Sequence, residues 1–197
     1  YKYLELDEAD SSSEKDFGKN VLPAMLKAGE KMFSYKFEGY WKDVGTITSL
    51  WEANMDLLGT VPKFDLRDEE RVIHSRSPLA PPAYIEGEVI NSIVASGGEI
   101  RGKIVNSVIG TDCIIEEGAV VTDCVLMGNT VIKSGATLNY AVIDEDVVIG
   151  ENALIGAPRE ISSKIEGQTN GIVVLGRGVS VKNNGKIDAG EIVDKSI

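Results

Sequence analysis

Val105-Asn106-Ser107-Val108-Ile109, Thr122-Asp123-Cys124-Val125-Leu126 and Asn139-Tyr140-Ala141-Val142-Ile143 follow one another seventeen residues apart. Around them branched aliphatics recur at Ile109, Ile115, Val121, Leu126, Ile132, Leu138, Ile143, Ile149 and Ile155, in steps of six, six and five. Self-similarity at a short fixed period marks a solenoid. A hexapeptide step with one residue trimmed in every three predicts a parallel β-helix of triangular coils. A β-sandwich would also alternate apolar and polar residues, but its strands hold no constant period.

Two places before each aliphatic stands a small residue: Ser107, Cys113, Ala119, Cys124, Thr130, Ala136, Ala141, Val147 and Ala153. A narrow close-packed coil has room for one large inward side chain per side, with a small one beside it. Gly110, Gly118, Gly128-Asn129, Gly135, Asp144 and Gly150 fall where corners are needed, and these are turn-forming residue types. The pattern resumes at Leu175, Val181, Ile187 and Val193. Between, Gly156 to Gly171 breaks period and carries Pro158, Ser162-Ser163 and Gly167; it reads as a loop thrown out from one coil.

The 197 residues carry a formal charge of −11. That balance argues against nucleic acid or an anionic membrane as partner, since phosphate contacts need concentrated Lys and Arg. No apolar run approaches a transmembrane length, and no secretory signal opens the chain. These features lead to an expectation of a cytoplasmic protein. Cys113 and Cys124 occupy small inward slots and are expected to be buried and reduced. The opening Tyr1-Lys2-Tyr3-Leu4-Glu5-Leu6 lacks Met and reads as the middle of an element, so a fragment of a longer protein is expected.

In the front half, Ser11 to Ser13 can cap a helix whose apolar face holds Phe17, Val21, Leu22, Met25 and Leu26, with Gly29 as terminator. Pro23 splits it into a short turn and a second helix. Lys31 to Phe37 reads as a strand. Ile47, Leu50, Trp51, Met55 and Leu58 lie at helical spacing up to Gly59, a core-packing face. The expected organisation is an α/β segment over 1–62, an extended Pro-rich linker over 63–84 containing Pro78, Pro81 and Pro82, and the β-helix over 85–197.

Asp16-Phe17-Gly18-Lys19, Tyr40-Trp41-Lys42-Asp43-Val44-Gly45-Thr46 and Trp51-Glu52-Ala53-Asn54-Met55-Asp56-Leu57-Leu58, followed by a hexapeptide β-helix, resemble the carboxy-terminal half of bacterial ADP-glucose pyrophosphorylase, the glucose-1-phosphate adenylyltransferase family of glycogen biosynthesis. The resemblance implies a left-handed coil, behind the end of a nucleotidyltransferase domain. It implies that Asp16 contacts the sugar of glucose 1-phosphate. It also implies that Asp43 is a ligand of catalytic Mg²⁺, with Trp41 and Lys42 on the same rim. A helix cap is the competing reading of Asp16, and a turn carboxylate that of Asp43. The family's glycine-rich nucleotide loop, second metal-binding Asp and Glu-Lys-Pro segment have no counterpart in these residues, so the chain alone is expected to be inactive with ATP and glucose 1-phosphate.

The resemblance further implies a homotetramer, or a hetero-oligomer with a regulatory homologue, under allosteric control by phosphorylated sugars. Arg101, Lys103, Arg159, Lys164, Arg177 and Lys182 are the basic residues on the β-helix side; they read mostly as solvated charges, and the effector site is left open. Two alternatives stay within the family's reach: a non-catalytic regulatory homologue, and a pyrophosphorylase for another nucleotide sugar. A hexapeptide acyltransferase or a three-His β-helical carbonic anhydrase is disfavoured. The single histidine, His74, lies in the linker.

Overall fold

The computed structural model describes residues 1–70, 73 and 79–197; the readings of His74 and Pro78 lie outside the described residues. Two compact units emerge, Tyr1–Gly39 and Tyr40–Ile197.

In the second unit the aliphatic repeat forms three six-stranded sheets. One runs from Tyr84–Ile85 to Ser180–Val181, the next from Glu88–Ile90 to Lys186–Ile187, and the third from Ile93–Val94 to Ile192–Val193. The chain visits the three in turn, once per coil, and every recorded pairing is parallel. All nine repeat aliphatics from Ile109 to Ile155 are fully buried, as are their nine small companions from Ser107 to Ala153. Each fully buried Ile, Leu or Val contributes about 1.5–3 kcal/mol, so this column dominates the unit's stability.

Register shows why the first coils escape the seventeen-residue reading. Tyr84 lies beside Glu99 and Glu99 beside Ile114, fifteen residues on, whereas Ile114 lies beside Val131, seventeen on. A Cβ on Gly87 would sit 2.0 Å from the Gly102 carbonyl oxygen, so only glycine fits that corner. After Ile155 the period breaks: Ala141 lies beside Val173, and Gly156 to Gly171 leave the coil as the expected loop. That loop contains a single helical turn, Arg159–Ser162.

One corner of the coils is a ladder of left-handed residues: Asn91, Asn106, Asp123 and Tyr140, with φ of 44°, 49°, 54° and 50°. Asn and Asp tolerate this region because their short side chains bond locally. Here they bond up the ladder, with Asn91 Nδ2 donating to Asn106 Oδ1 at 2.8 Å and Asn106 Nδ2 donating to Asp123 Oδ1. Tyr140 is the exception in kind, a bulky residue at positive φ.

The first unit holds α1 (Lys2–Ala9), a π-helical turn (Phe17–Val21) and α2 (Leu22–Lys27). Asp16 caps the turn, not the serines: its Oδ1 accepts from the Lys19 backbone N–H at 2.8 Å. Pro23 sits in the first turn of α2, where its missing N–H costs nothing. Lys15 reaches back to the end of α1 and donates to the carbonyls of Asp7, Glu8 and Asp10, a cation placed at the negative end of the helix.

The strand expected over Lys31 to Phe37 does not form. The residues run without ladder partners, and Phe33 and Tyr35 are almost fully exposed. An extended segment becomes a strand only when a neighbour takes its backbone groups, and the described residues of this unit supply none. The regular elements ahead of the β-helix are therefore helical. Among the described residues no helix is long and apolar enough to cross a membrane.

Candidate functional site

Tyr40 to Thr46 opens the second unit and leads into α3 (Ile47–Met55). Asp43 forms a local turn, Oδ1 accepting from the Gly45 N–H at 3.0 Å. A side chain at Gly45 would press on that carboxylate, since its Cβ would lie 3.3 Å from Asp43 Oδ1. The turn delivers the chain to Thr46, which caps α3 reciprocally with Ser49: Thr46 Oγ1 accepts from the Ser49 N–H, and Ser49 Oγ from the Thr46 N–H, both at 3.1 Å. Such a capping box satisfies two end donors at once.

Lys42 is tied to the same helix. Its Nζ lies 2.6 Å from Glu52 Oε2, and that hydrogen bond lifts the ammonium above the ordinary lysine value. Tyr40 donates its hydroxyl to Asp56 Oδ2 at 3.1 Å, and Lys63 Nζ stands 2.7 Å from Asp56 Oδ1. Burial pushes Asp56 up, but the Lys63 and Tyr40 hydrogen bonds outweigh it and hold the carboxyl below its usual range. Loss of its own water and the Asp56 contact raise the Tyr40 phenol. Against this fixed frame Asp43 and Trp41 stay exposed, Trp41 by 76%.

Trp41, Lys42 and Asp43 thus share one loop of the second unit. Asp16 belongs to the first unit, where it is exposed and serves as a cap. The structure gives both Asp16 and Asp43 local structural bonds, the competing reading of each, while leaving both at the surface. Asp43 is an oxygen donor of the kind a hard cation takes. Among the described residues no cluster of three or more His, Cys, Asp or Glu could hold a metal. A cation at this lone carboxylate would need its remaining ligands from elsewhere, as when magnesium is held by one or two carboxylates and substrate phosphates.

α3 is where sequence reading fell short. Its face is core, as expected, but it packs on the outside of the β-helix: Trp51 is buried with Val125, Tyr140, Val142 and Ile172. Trp51 Nε1 donates to the Asp123 carbonyl at 2.8 Å, and its ring meets Tyr140 edge-on at 5.0 Å. The Arg159 guanidinium lies 4.7 Å from the Trp51 ring centre, and Asn170 Nδ2 donates to Thr48 Oγ1 at 3.0 Å. A signal existed. Val125 and Val142 stand one step before inward Leu126 and Ile143, so they face outward, and α3 covers them.

Three further basic residues are engaged by carboxylates. Arg101 pairs with Glu86 and Glu99, Lys103 with Glu88, and Arg177 with Glu145 and Asp146. Hydrogen bonds from Asn129 and Arg177 hold the Asp146 carboxyl low.

Comparison with known proteins adds what geometry does not. Residues 1–60 match a nucleotidyl transferase family model, and residues 82–175 match a model described as GlmU-like, C-terminal hexapeptide. A glucose-1-phosphate adenylyltransferase of Acetivibrio thermocellus is 38% identical over 200 residues, spanning 100% of this chain and 47% of that protein. This chain is a relative of the glucose-1-phosphate adenylyltransferases. Those of Clostridium perfringens (strain 13 / Type A) and Desulforamulus reducens are 43% and 40% identical, over 82% and 78% of this chain. They are matched over 42% and 39% of their own lengths, so the chain spans a little under half of the adenylyltransferases it resembles. The two family models also part α3 from the β-helix, although α3 packs on it in the folded unit.

Proposed function

We propose that this chain is part of an enzyme that transfers the adenylyl group of ATP to glucose 1-phosphate, forming ADP-glucose and pyrophosphate. The observation that carries the proposal is identity to an adenylyltransferase along the whole chain, with Tyr40-Trp41-Lys42-Asp43-Val44-Gly45-Thr46 intact in a pre-shaped exposed loop.

In this reading the chain's own residues position and orient. Asp16 accepts a hydroxyl of the sugar; a carboxylate has lone pairs to spare beyond the one engaged by Lys19. Asp43 is one oxygen ligand of a magnesium ion, which when bound supplies charge neutralisation between the nucleotide phosphates. Trp41 and Lys42 line the same rim, with Lys42 held by Glu52. Catalysis of this kind rests on positioning and on charges fixed before the reaction. The β-helix serves as scaffold for assembly into a homotetramer, or a hetero-oligomer with a regulatory homologue, and as regulatory surface.

The test is formation of ADP-glucose from ATP, glucose 1-phosphate and Mg²⁺. The full-length protein carrying this chain is expected to turn over and the 197-residue chain alone is not. Turnover by the chain alone, or none by the full-length protein, would overturn the proposal.

A further inference from the structure

The loop Gly156 to Gly171 interrupts the β-helix at a cost in regularity, and its construction shows that it is more than a tolerated excursion. Ser162 is fully buried, its hydroxyl donating to the Ala157 carbonyl at 2.8 Å. Thr169, also buried, donates to the Gly190 carbonyl at 3.2 Å on the coil beneath. Gly171 has φ of +80°, and a Cβ there would meet the Ser162 carbonyl oxygen at 1.9 Å. The loop closes on itself only because that position is glycine.

Three of its side chains reach the segment that carries Asp43. Arg159 lies over the Trp51 ring. Asn170 donates to Thr48 in the first turn of α3. Gln168 lines one groove of about 340 Å³ together with Val44, Gly45, Thr46, Ile47 and Leu50. Trp51 is itself pinned to the coil corner at Asp123. From α3 the fixation passes by two short routes to the rim: through the Thr46–Ser49 cap into the Asp43–Gly45 turn, and through Glu52 to Lys42.

We propose that Arg159 and Asn170 are positioning residues for the nucleotidyl-transfer rim: the extruded loop clamps α3 against the β-helix and so holds the Asp43 turn in its working orientation. A cation over an indole is a directional restraint, strongest where the ring is shielded from water, and Trp51 is 2% exposed. This inference rests on the proposed activity for its consequence, though not for its geometry.

The experiment has two arms. In the chain itself, amide hydrogen exchange is followed at Gly45 to Ser49 and at Leu138–Asn139 in the coil. Arg159→Gln is expected to speed exchange at Gly45 to Ser49 at least several-fold, with the coil amides unchanged. Arg159→Lys, which keeps a cation over the ring, restores most of the protection, and Lys164→Gln, on the same loop, alters neither region. In the full-length protein Arg159→Gln is expected to raise the Mg²⁺ concentration for half-maximal rate several-fold, with recovery in Arg159→Lys. Unchanged exchange at Gly45 to Ser49 overturns the clamp, as does an equal effect from Lys164→Gln or an unaltered Mg²⁺ requirement. Loss of protection in a full-length protein that makes no ADP-glucose would instead overturn the activity and leave the clamp standing.

Discussion

Trp51 donates its indole N–H to the backbone carbonyl of Asp123, 2.8 Å away and seventy-two positions further along the chain. The acceptor sits at a left-handed corner of the coil, where its carbonyl points outward. One hydrogen bond thus joins the helix behind the Asp43 loop to the scaffold. Trp51→Phe removes the donor and leaves a half-shielded carbonyl unpaired, which is expected to cost about 1–3 kcal/mol. Trp51→Ala, which also empties the pocket, is expected to cost about 3–5 kcal/mol. Urea midpoints order the two; a Trp51→Phe midpoint equal to that of the parent protein would show that the hydrogen bond contributes nothing beyond bulk.

Tyr140 occupies the next rung of the ladder on which Asn91, Asn106 and Asp123 stand, and accepts φ of +50° to bring its ring onto Trp51. A left-handed backbone costs a residue with a Cβ roughly 1–2 kcal/mol, and an aromatic pair returns about 0.5–1.5 kcal/mol beyond its burial. Tyr140→Asn loses the ring but gains a residue suited to the corner; Tyr140→Ala loses the ring and gains none. Asn is expected to be the less damaging change, by about 1 kcal/mol. Thermal unfolding with Ala at least as stable as Asn would contradict the corner assignment.

Register within the coil is tested by a matched pair. Leu126 is buried and Lys133, at the edge of the next turn, projects outward. Leu126→Ala is expected to cost about 2–5 kcal/mol and Lys133→Ala to stay within about 0.5 kcal/mol. Equal denaturation midpoints would reverse the inward face.

Burial pushes the Cys113 thiol up to about 11 and Cys124 up to about 12, and no disulfide joins them. Thiolate is the reactive form, so both are expected to resist a thiol reagent at pH 8 in the native protein and to react after unfolding. The sign for stability follows. The unfolded thiols ionise near their ordinary value of 9.0 while the folded ones keep their protons, so stability present below pH 9 is lost as pH rises through 9 toward 11–12. Rapid labelling of the native protein at pH 8 would contradict the packing of both slots.

The β-helix was legible because its signal is periodic: inward Ile, Leu and Val with small companions leave no second way to close a coil. The first coils were not, since Val89, Val94, Ile100 and Ile104 follow a shorter step that the seventeen-residue frame misses. The loop that holds Lys42 and Asp43 was legible as a glycine-bounded polar segment. Its support was not, because Trp51, Tyr140 and Arg159 are far apart in sequence and meet only after the coil has stacked. Lys31 to Phe37 shows the opposite failure. Local propensity read strand there, but no partner supplies the ladder in the first unit.

Asp43 carries the central claim, and its substitution in the full-length protein tests it most directly. Asp43→Asn keeps an oxygen to accept from the Gly45 N–H, so the turn and the melting temperature should survive while the charge is lost. The rate of ADP-glucose formation at saturating substrates is expected to fall roughly 100-fold or more, with the melting temperature unchanged. A rate within twofold of the parent protein would contradict the assignment of Asp43 and the function built on it.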